Sequence, residues 1–174
     1  MMAGSNPMQN IFIDKVVLNI GIGANEDMYT NASLLLEKLT GHTPVKSVSK
    51  KRLPEFKIRR GQVIGAMVTL RNKEAREMLK RALDANDSIL KYSAISNNSL
   101  SFGVKEYIYF PGVKYDPKIG MLGLNVNASF SRKGRRVEKR RRKEAKMGIK
   151  HKKVSNEEIS VYIEKEFGVK PTKE

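Results

Sequence analysis

At 174 residues the chain fits a single domain, and 40% hydrophobic residues can furnish a core. The absence of cysteine excludes disulfides, zinc–thiolate centres, iron–sulfur clusters and cysteine nucleophiles, and suits a reducing, cytoplasmic setting. Thirty-four Lys and Arg against 18 Asp and Glu give a net charge of +16, so the expected partner is a polyanion.

No apolar run reaches the length of about 18 residues that a transmembrane helix needs. Residues 1–10 are polar and lack the apolar stretch of a signal peptide. Residues 11–20 read as a strand, with Val16, Leu18 and Ile20 on one face and Val17 and Asn19 on the other. Gly21-Ile22-Gly23 then turns the chain. From Glu26 to residue 39 the spacing is helical, with Met28, Ala32, Leu35, Leu36 and Leu39 as the apolar stripe and Gly41 as the stop.

Residues 45–49 suit a short strand, and residues 50–61, basic and holding Pro54, read as a loop. Residues 62–71 form a second long strand. Asn72 is placed to cap a helix whose stripe is Ala75, Met78, Leu79, Ala82 and Leu83. Residues 99–110, aromatic and β-branched, read as a strand ended by Pro111-Gly112. Residues 121–130 alternate, with Leu122, Leu124, Val126, Ala128 and Phe130 against Gly123, Asn125, Asn127 and Ser129. A last helix starts at Ser155, with Glu158 completing a capping box. Its stripe is Ile159, Tyr162, Ile163 and Phe167, and Gly168 and Pro171 close it.

Strands with one apolar and one Asn/Ser/Thr face predict an α+β fold. The expected architecture is an antiparallel sheet with helices packed on one face, a polar RNA-binding face, a basic loop and a C-terminal helix. One domain over residues 1–174 accommodates it, and no internal repeat is present.

The charge is concentrated. Residues 132–153 hold 13 bases: Arg132, Lys133, Arg135, Arg136, Lys139, Arg140, Arg141, Arg142, Lys143, Lys146, Lys150, Lys152 and Lys153. Against them stand only Glu138 and Glu144, so this segment carries +11 of the total. Such density should keep it extended or mobile unless phosphates lie beside it. With no aromatic residue it should hold phosphates rather than read bases. A nuclear-localisation signal or an anionic membrane surface are the competing uses of such a run.

Catalytic signatures are missing. Gly21-Ile22-Gly23 lacks the third glycine of a dinucleotide fingerprint, since Glu26 stands there. No Gly-Lys-Ser/Thr phosphate loop and no serine elbow occur. His42 and His151 have no ligand cluster near them in sequence, so no metal or cofactor is expected. Glu37 and Glu55 read as surface carboxylates.

A set of blocks in order identifies a relationship. These are Asn6-Pro7-Met8, Lys15-Val16-Val17-Leu18-Asn19-Ile20-Gly21-Ile22-Gly23, Leu39-Thr40-Gly41-His42-Thr43-Pro44-Val45 and Phe56-Lys57-Ile58-Arg59-Arg60-Gly61. Then follow Ile64-Gly65, Val68-Thr69-Leu70-Arg71, Phe102-Gly103-Val104-Lys105-Glu106 and Phe110-Pro111-Gly112-Val113-Lys114-Tyr115-Asp116-Pro117. Together they resemble the universal ribosomal protein L-five family, whose members bind 5S rRNA. The basic stretch and Glu166-Phe167-Gly168-Val169 resemble its archaeal branch. His42 replaces the family's usual Gln, Arg52 replaces a small residue, and residues 93–101 replace an Asp/Gly-rich loop.

The resemblance implies a non-catalytic place in the central protuberance of the large subunit, in the cytoplasm. Its implied partners are 5S rRNA, 23S rRNA, peptidyl-site tRNA, the small-subunit head protein S-thirteen and other central-protuberance proteins, with no membrane and no small-molecule substrate. Carried over by position, the 5S rRNA residues are Asn19, His42, Phe56 and Thr69. Arg71, on the same strand as Thr69, could pin a 5S phosphate bidentately. The tRNA-facing loop falls on residues 47–61, with Lys50, Lys51, Arg52, Lys57, Arg59 and Arg60 against Glu55 alone. The 13 bases of residues 132–153 would reach other rRNA.

The chemistry of these positions is coherent. An Asn amide gives and accepts hydrogen bonds with base edges or a ribose 2′-hydroxyl. Phe56 is either tucked into the core or offered to a base. Loop cations hold phosphate without reading sequence, as a site serving every tRNA requires. Two other classes compete: a DNA-compacting chromatin-like protein, which needs only the basic run, and an RNA-modifying enzyme, which needs a cofactor pocket.

Overall fold

The computed structural model describes residues 6–25 and 28–172. Glu26, the expected helix start, lies outside them, as do residues 1–5 of the polar N-terminus. In chain order the elements are β1 (Ile11–Gly21), α1 (Met28–Thr40), β2 (Val45–Val48), β3 (Val63–Leu70) and α2 (Asn72–Asp84). Next come β4 (Leu90–Lys91), β5 (Ile95–Ser96), β6 (Ser99–Val104) and β7 (Leu124–Arg132). Last are α3 (Arg136–Lys139), α4 (Ile149–Lys152), α5 (Asn156–Phe167) and β8 (Pro171–Thr172).

Period-two alternation builds the main sheet. Its order is β2-β3-β1-β7-β6-β5, and every pair in it is antiparallel. Val16, Leu18 and Ile20 are buried with Ala66, Val68 and Leu70 on one neighbour and Val126, Ala128 and Phe130 on the other. The helices cover this side. Ala32, Leu35, Leu36 and Leu39 of α1 and all five predicted stripe residues of α2 are buried. From α5, Ile159 and Ile163 enter the same core, and Tyr162 meets Phe130 edge-on at 5.7 Å between ring centroids. The α+β expectation holds, with helices on one face.

Local signals set the helix ends. Ser155 and Glu158 form the predicted reciprocal capping box, and Gly168 ends α5 in the left-handed region at φ 72°. Gly41 stops α1 in the same way, at φ 71°. Gly65 is required by a close approach, because a Cβ there would come within 2.6 Å of the Ile20 carbonyl oxygen.

Four expectations are corrected. Met28 is exposed, and its neighbour Tyr29 packs on the core with Lys46 over its ring at 5.2 Å; the first turn of α1 is rotated by one position. Asn72 is not a cap: Arg71 takes that position without a side-chain hydrogen bond, and Asn72 stands at φ 56°. The strand expected over residues 99–110 stops at Val104. Tyr107–Tyr109 forms a 3-10 turn because the buried Tyr107 donates its N–H to the Leu122 carbonyl and its hydroxyl accepts from the Asp116 N–H. That pull on Leu122 also delays β7, which runs from Leu124 to Arg132 rather than over 121–130. The basic segment, expected to be extended or mobile, carries the short helices α3 and α4, and the Ala145 N–H donates back to the Val137 carbonyl.

One irregularity shapes the open face. Between β1 and β7 the register runs Ile13↔Phe130 and then Lys15↔Ser129, leaving Asp14 unmatched as a bulge. Ile13 is therefore buried with the core. Phe12, opposite Ser131, turns to the other side and is 38% exposed.

Candidate nucleic-acid interface

The sheet face away from the helices is built by register. In antiparallel strands, directly paired residues share a face. One row across the sheet is Thr69, Val17, Asn127 and Ser101. The next is Val45, Met67, Asn19, Asn125 and Gly103, and another is Lys15, Ser129 and Ser99. None of these side chains is acidic. Beside the apolar Val17, Val45 and Met67 the face offers amides, hydroxyls and one lysine, groups that hydrogen-bond nucleic acid without repelling phosphate. Asn19 and Asn125 line a shallow depression of about 390 Å³ whose floor is relieved by Gly21, Gly103 and Gly123.

The residues singled out in the sequence do not form one cluster. His42, Thr69 and Arg71 converge, together lining a hollow of about 460 Å³ at the end of β3. There the His42 Nε2 lies 3.0 Å from a Glu74 carboxylate oxygen. Arg71 lies 3.7 Å from the Asp14 carboxylate and donates to the Asp14 carbonyl at 3.4 Å. Both side chains are held in place by exposed or half-exposed acids that RNA phosphates could displace. Asn19 sits mid-sheet, two positions along β1 from the Thr69 row.

Phe56 lies elsewhere. It is 65% exposed at the tip of the β2–β3 loop, beyond the opposite end of β3 from Thr69. Val63 and Thr69 are six positions apart, about 20 Å at strand rise. The sequence left two fates for this ring, and the structure takes the outward one. The neck of the loop is closed by hydrogen bonds from Ser49 N–H to the Gln62 carbonyl (2.8 Å) and from Gly61 N–H to the Ser49 carbonyl (2.8 Å). A bridge between Leu53 and Ile58 and the turn Pro54–Phe56, ended by Lys57 at φ 56°, stiffen the tip. Lys50, Lys51, Arg52, Lys57, Arg59 and Arg60 are all exposed, and none makes an ion pair among the described residues.

The 13 bases of residues 132–153 divide in two. Arg132 is inward: its side chain is 14% exposed, donates two hydrogen bonds to Glu158 (2.5 and 2.7 Å) and one to the Lys150 carbonyl. Lys152 pairs with Glu138 at 2.7 Å, and this hydrogen bond holds the Glu138 carboxyl below its ordinary pKa. The Asn98 side chain pins the far end, donating to the Lys152 carbonyl (3.0 Å) and accepting from the Val154 N–H (3.2 Å). Arg135 is half-buried. The other ten, Lys133, Arg136, Lys139, Arg140, Arg141, Arg142, Lys143, Lys146, Lys150 and Lys153, are exposed. Two of the 13, Arg132 and Lys152, therefore anchor the segment, and a phosphate would compete with a carboxylate for them.

Ser99 and Ser101 on β6 and Lys15 on β1 belong to the open face and were not singled out in the sequence. Their alternation with Leu100, Phe102 and Val16 was the available signal. Among the described residues no group of three His, Asp or Glu could hold a metal, and no helix is long and apolar enough to cross a membrane.

Comparison with known proteins gives the same direction. Residues 6–59 match the family model described as Ribosomal protein L5, and residues 63–158 match the model of that ribosomal family's C-terminus. The main sheet takes strands from both matched regions. The chain is 42% identical over 165 residues to the large ribosomal subunit protein uL5 of Nanoarchaeum equitans, covering 94% of this chain and 97% of that protein. It is 43% identical over 165 residues to the uL5 of Pyrobaculum aerophilum, with 94% and 92% covered. To the uL5 of Archaeoglobus fulgidus it is 40% identical over 159 residues, with 91% and 89% covered. A likeness of this depth over nearly the whole chain, on an open polar sheet face flanked by clustered cations, establishes that the chain belongs to the ribosomal protein L5 family, in its archaeal form.

Proposed function

We propose that this structural, non-enzymatic constituent of the large ribosomal subunit holds 5S rRNA on its open sheet face and helps dock it in the central protuberance. The single observation that supports this most is the acid-free row structure of that face, where Asn19, Asn125, Asn127 and Thr69 offer hydrogen bonds in fixed register. Directional groups on a rigid sheet select shape and 2′-hydroxyls, which a flexible polycation does not. His42 and Arg71 add hydrogen-bond donors and charge at one end of it.

The remaining contacts follow from where the other cations lie. The stiffened β2–β3 loop, with six bases outside any ion pair among the described residues and the outward Phe56, suits peptidyl-site tRNA, whose sequence varies while its phosphates do not. The exposed bases of residues 132–153 suit 23S rRNA. Contact with the small-subunit head protein S-thirteen and with other proteins of the protuberance completes the reading, with residues 1–174 acting as one domain in cytoplasmic ribosomes.

Binding to 5S rRNA and to a duplex DNA of equal length, across a salt series, tests it. A preference for 5S rRNA that survives high salt is expected. Equal affinities falling together, with a slope of about 0.7–0.9 per phosphate contact, would leave only a generic polycation.

A further inference from the structure

A cleft of about 720 Å³ lies where the start of β1 meets the end of β7 and the turn into α3. Its size falls in the range of roughly 300–1,000 Å³ typical of sites for small ligands. The lining includes Phe12, Arg71, Arg132, Lys133, Arg135 and Arg136. Asp14, already beside Arg71, is the only acid lining it among the described residues. The Nε atoms of Arg132 and Arg135 have no hydrogen-bond partner among the described residues.

Phe12 is there because of the bulge. Uninterrupted alternation from Val16, Leu18 and Ile20 would send residue 12 into the core with them. The extra residue Asp14 reverses the parity, so Ile13 fills the core and Phe12 turns outward. The result is a large aromatic ring at the end of the open face, beside the cations of Arg71 and of residues 132–136. An exposed ring in such surroundings suits a flat, uncharged π-system joined to phosphates.

We propose that this cleft takes a single unstacked nucleotide of RNA, its base on Phe12 and its flanking phosphates on Arg71, Lys133 and Arg136. The proposal rests on the RNA-binding reading above and deepens it, for it specifies an unpaired nucleotide rather than a helix at this end of the sheet. The basic segment alone holds phosphate; with Phe12 it gains the stacking surface its own sequence lacks.

The probe is a single-stranded RNA tetranucleotide carrying one 2-aminopurine, compared with a blunt RNA duplex long enough to stay fully paired, each added separately to the full chain. Taking the 2-aminopurine out of the strand's own stack and onto Phe12 changes its fluorescence, because neighbouring bases quench it and a phenyl ring does so weakly. Phe12→Ala should weaken tetranucleotide binding at least about five-fold and remove this change. Phe12→Leu, which keeps the apolar bulk and so the fold, should lose the change too, and Phe12→Trp should retain the binding. Duplex binding should change less than about two-fold in all three, since phosphate contacts are left intact. Unchanged tetranucleotide binding and fluorescence response in Phe12→Leu would overturn the proposal, as would a response lost instead in Phe56→Leu. If the unaltered chain binds 5S rRNA but not the tetranucleotide, this inference alone fails; if it binds neither, the RNA-binding reading fails with it.

Discussion

Arg132 and Glu158 are joined by two hydrogen bonds from one guanidinium nitrogen, at 2.5 and 2.7 Å, and Glu158 also accepts from the Ser155 N–H at 3.1 Å. One carboxylate thus caps α5 and anchors the root of the basic segment. Neutralising this Arg trades a cation for order in the twelve others around it.

Glu158→Ala should lower stability by about 1–2 kcal/mol, since it removes half a capping box and an ion pair that is open to solvent on the carboxylate side. Chemical denaturation reads the loss. Limited proteolysis should cut residues 133–147 faster in this variant than in the unaltered chain, and an equal rate would show that the anchor does not restrain the segment.

On the open face, Asn19→Leu and Thr69→Val each remove hydrogen-bonding groups without removing packing, as Asn19 is half-buried and Thr69 exposed. Each should cost about 1 kcal/mol in 5S rRNA affinity, roughly five-fold, with the salt slope unchanged. A titration at two salt concentrations separates this outcome from loss of charge.

The loop behaves in the opposite way. Replacing Lys57, Arg59 and Arg60 by Gln should reduce the log–log salt slope of tRNA binding by up to about 2–3, without changing preference among tRNA species. Thermal stability should hold, because these side chains are exposed and outside every ion pair among the described residues. A change in tRNA preference would argue for base contacts.

Acid should loosen the basic segment. The folded pKa of Glu138 is held below its ordinary value, first by the hydrogen bond from Lys152. Its contribution is therefore present above the ordinary carboxylate value of 4.5 and is lost as pH falls through the lowered one. Asp116, lowered by the Lys118 N–H and by Lys38, acts in the same sense on the loop after the Tyr107 turn. Carboxyl NMR titration should place the Glu138 midpoint higher in Lys152→Met, toward the ordinary value.

Gly65→Ala should destabilise the chain by about 1–3 kcal/mol, since its Cβ would meet the Ile20 carbonyl oxygen at 2.6 Å, a backbone atom that moves only with the strand. Denaturant unfolding measures it.

Much was legible in the sequence because it depends on neighbours along the chain. Alternation in β1, β3 and β7 fixed which residues enter the core, and the Ser155–Glu158 box and Gly41 and Gly168 fixed helix ends. Clustered charge pointed to a polyanion, and the blocks in order pointed to the family. The tertiary structure alone decided what depends on contacts across the chain. The Tyr107–Leu122 and Tyr107–Asp116 bonds ended one strand and delayed another. The pairing of β1 with β7 required a bulge, which no local pattern in β1 announces, and so turned Phe12 outward. His42, Thr69 and Arg71 met in one hollow while Phe56 went to the far end of β3. Arg132 and Glu158, 26 positions apart in the chain, became partners. Periodicity tells which side of an element is apolar; register, which is a relation between strands, tells where each polar side chain stands.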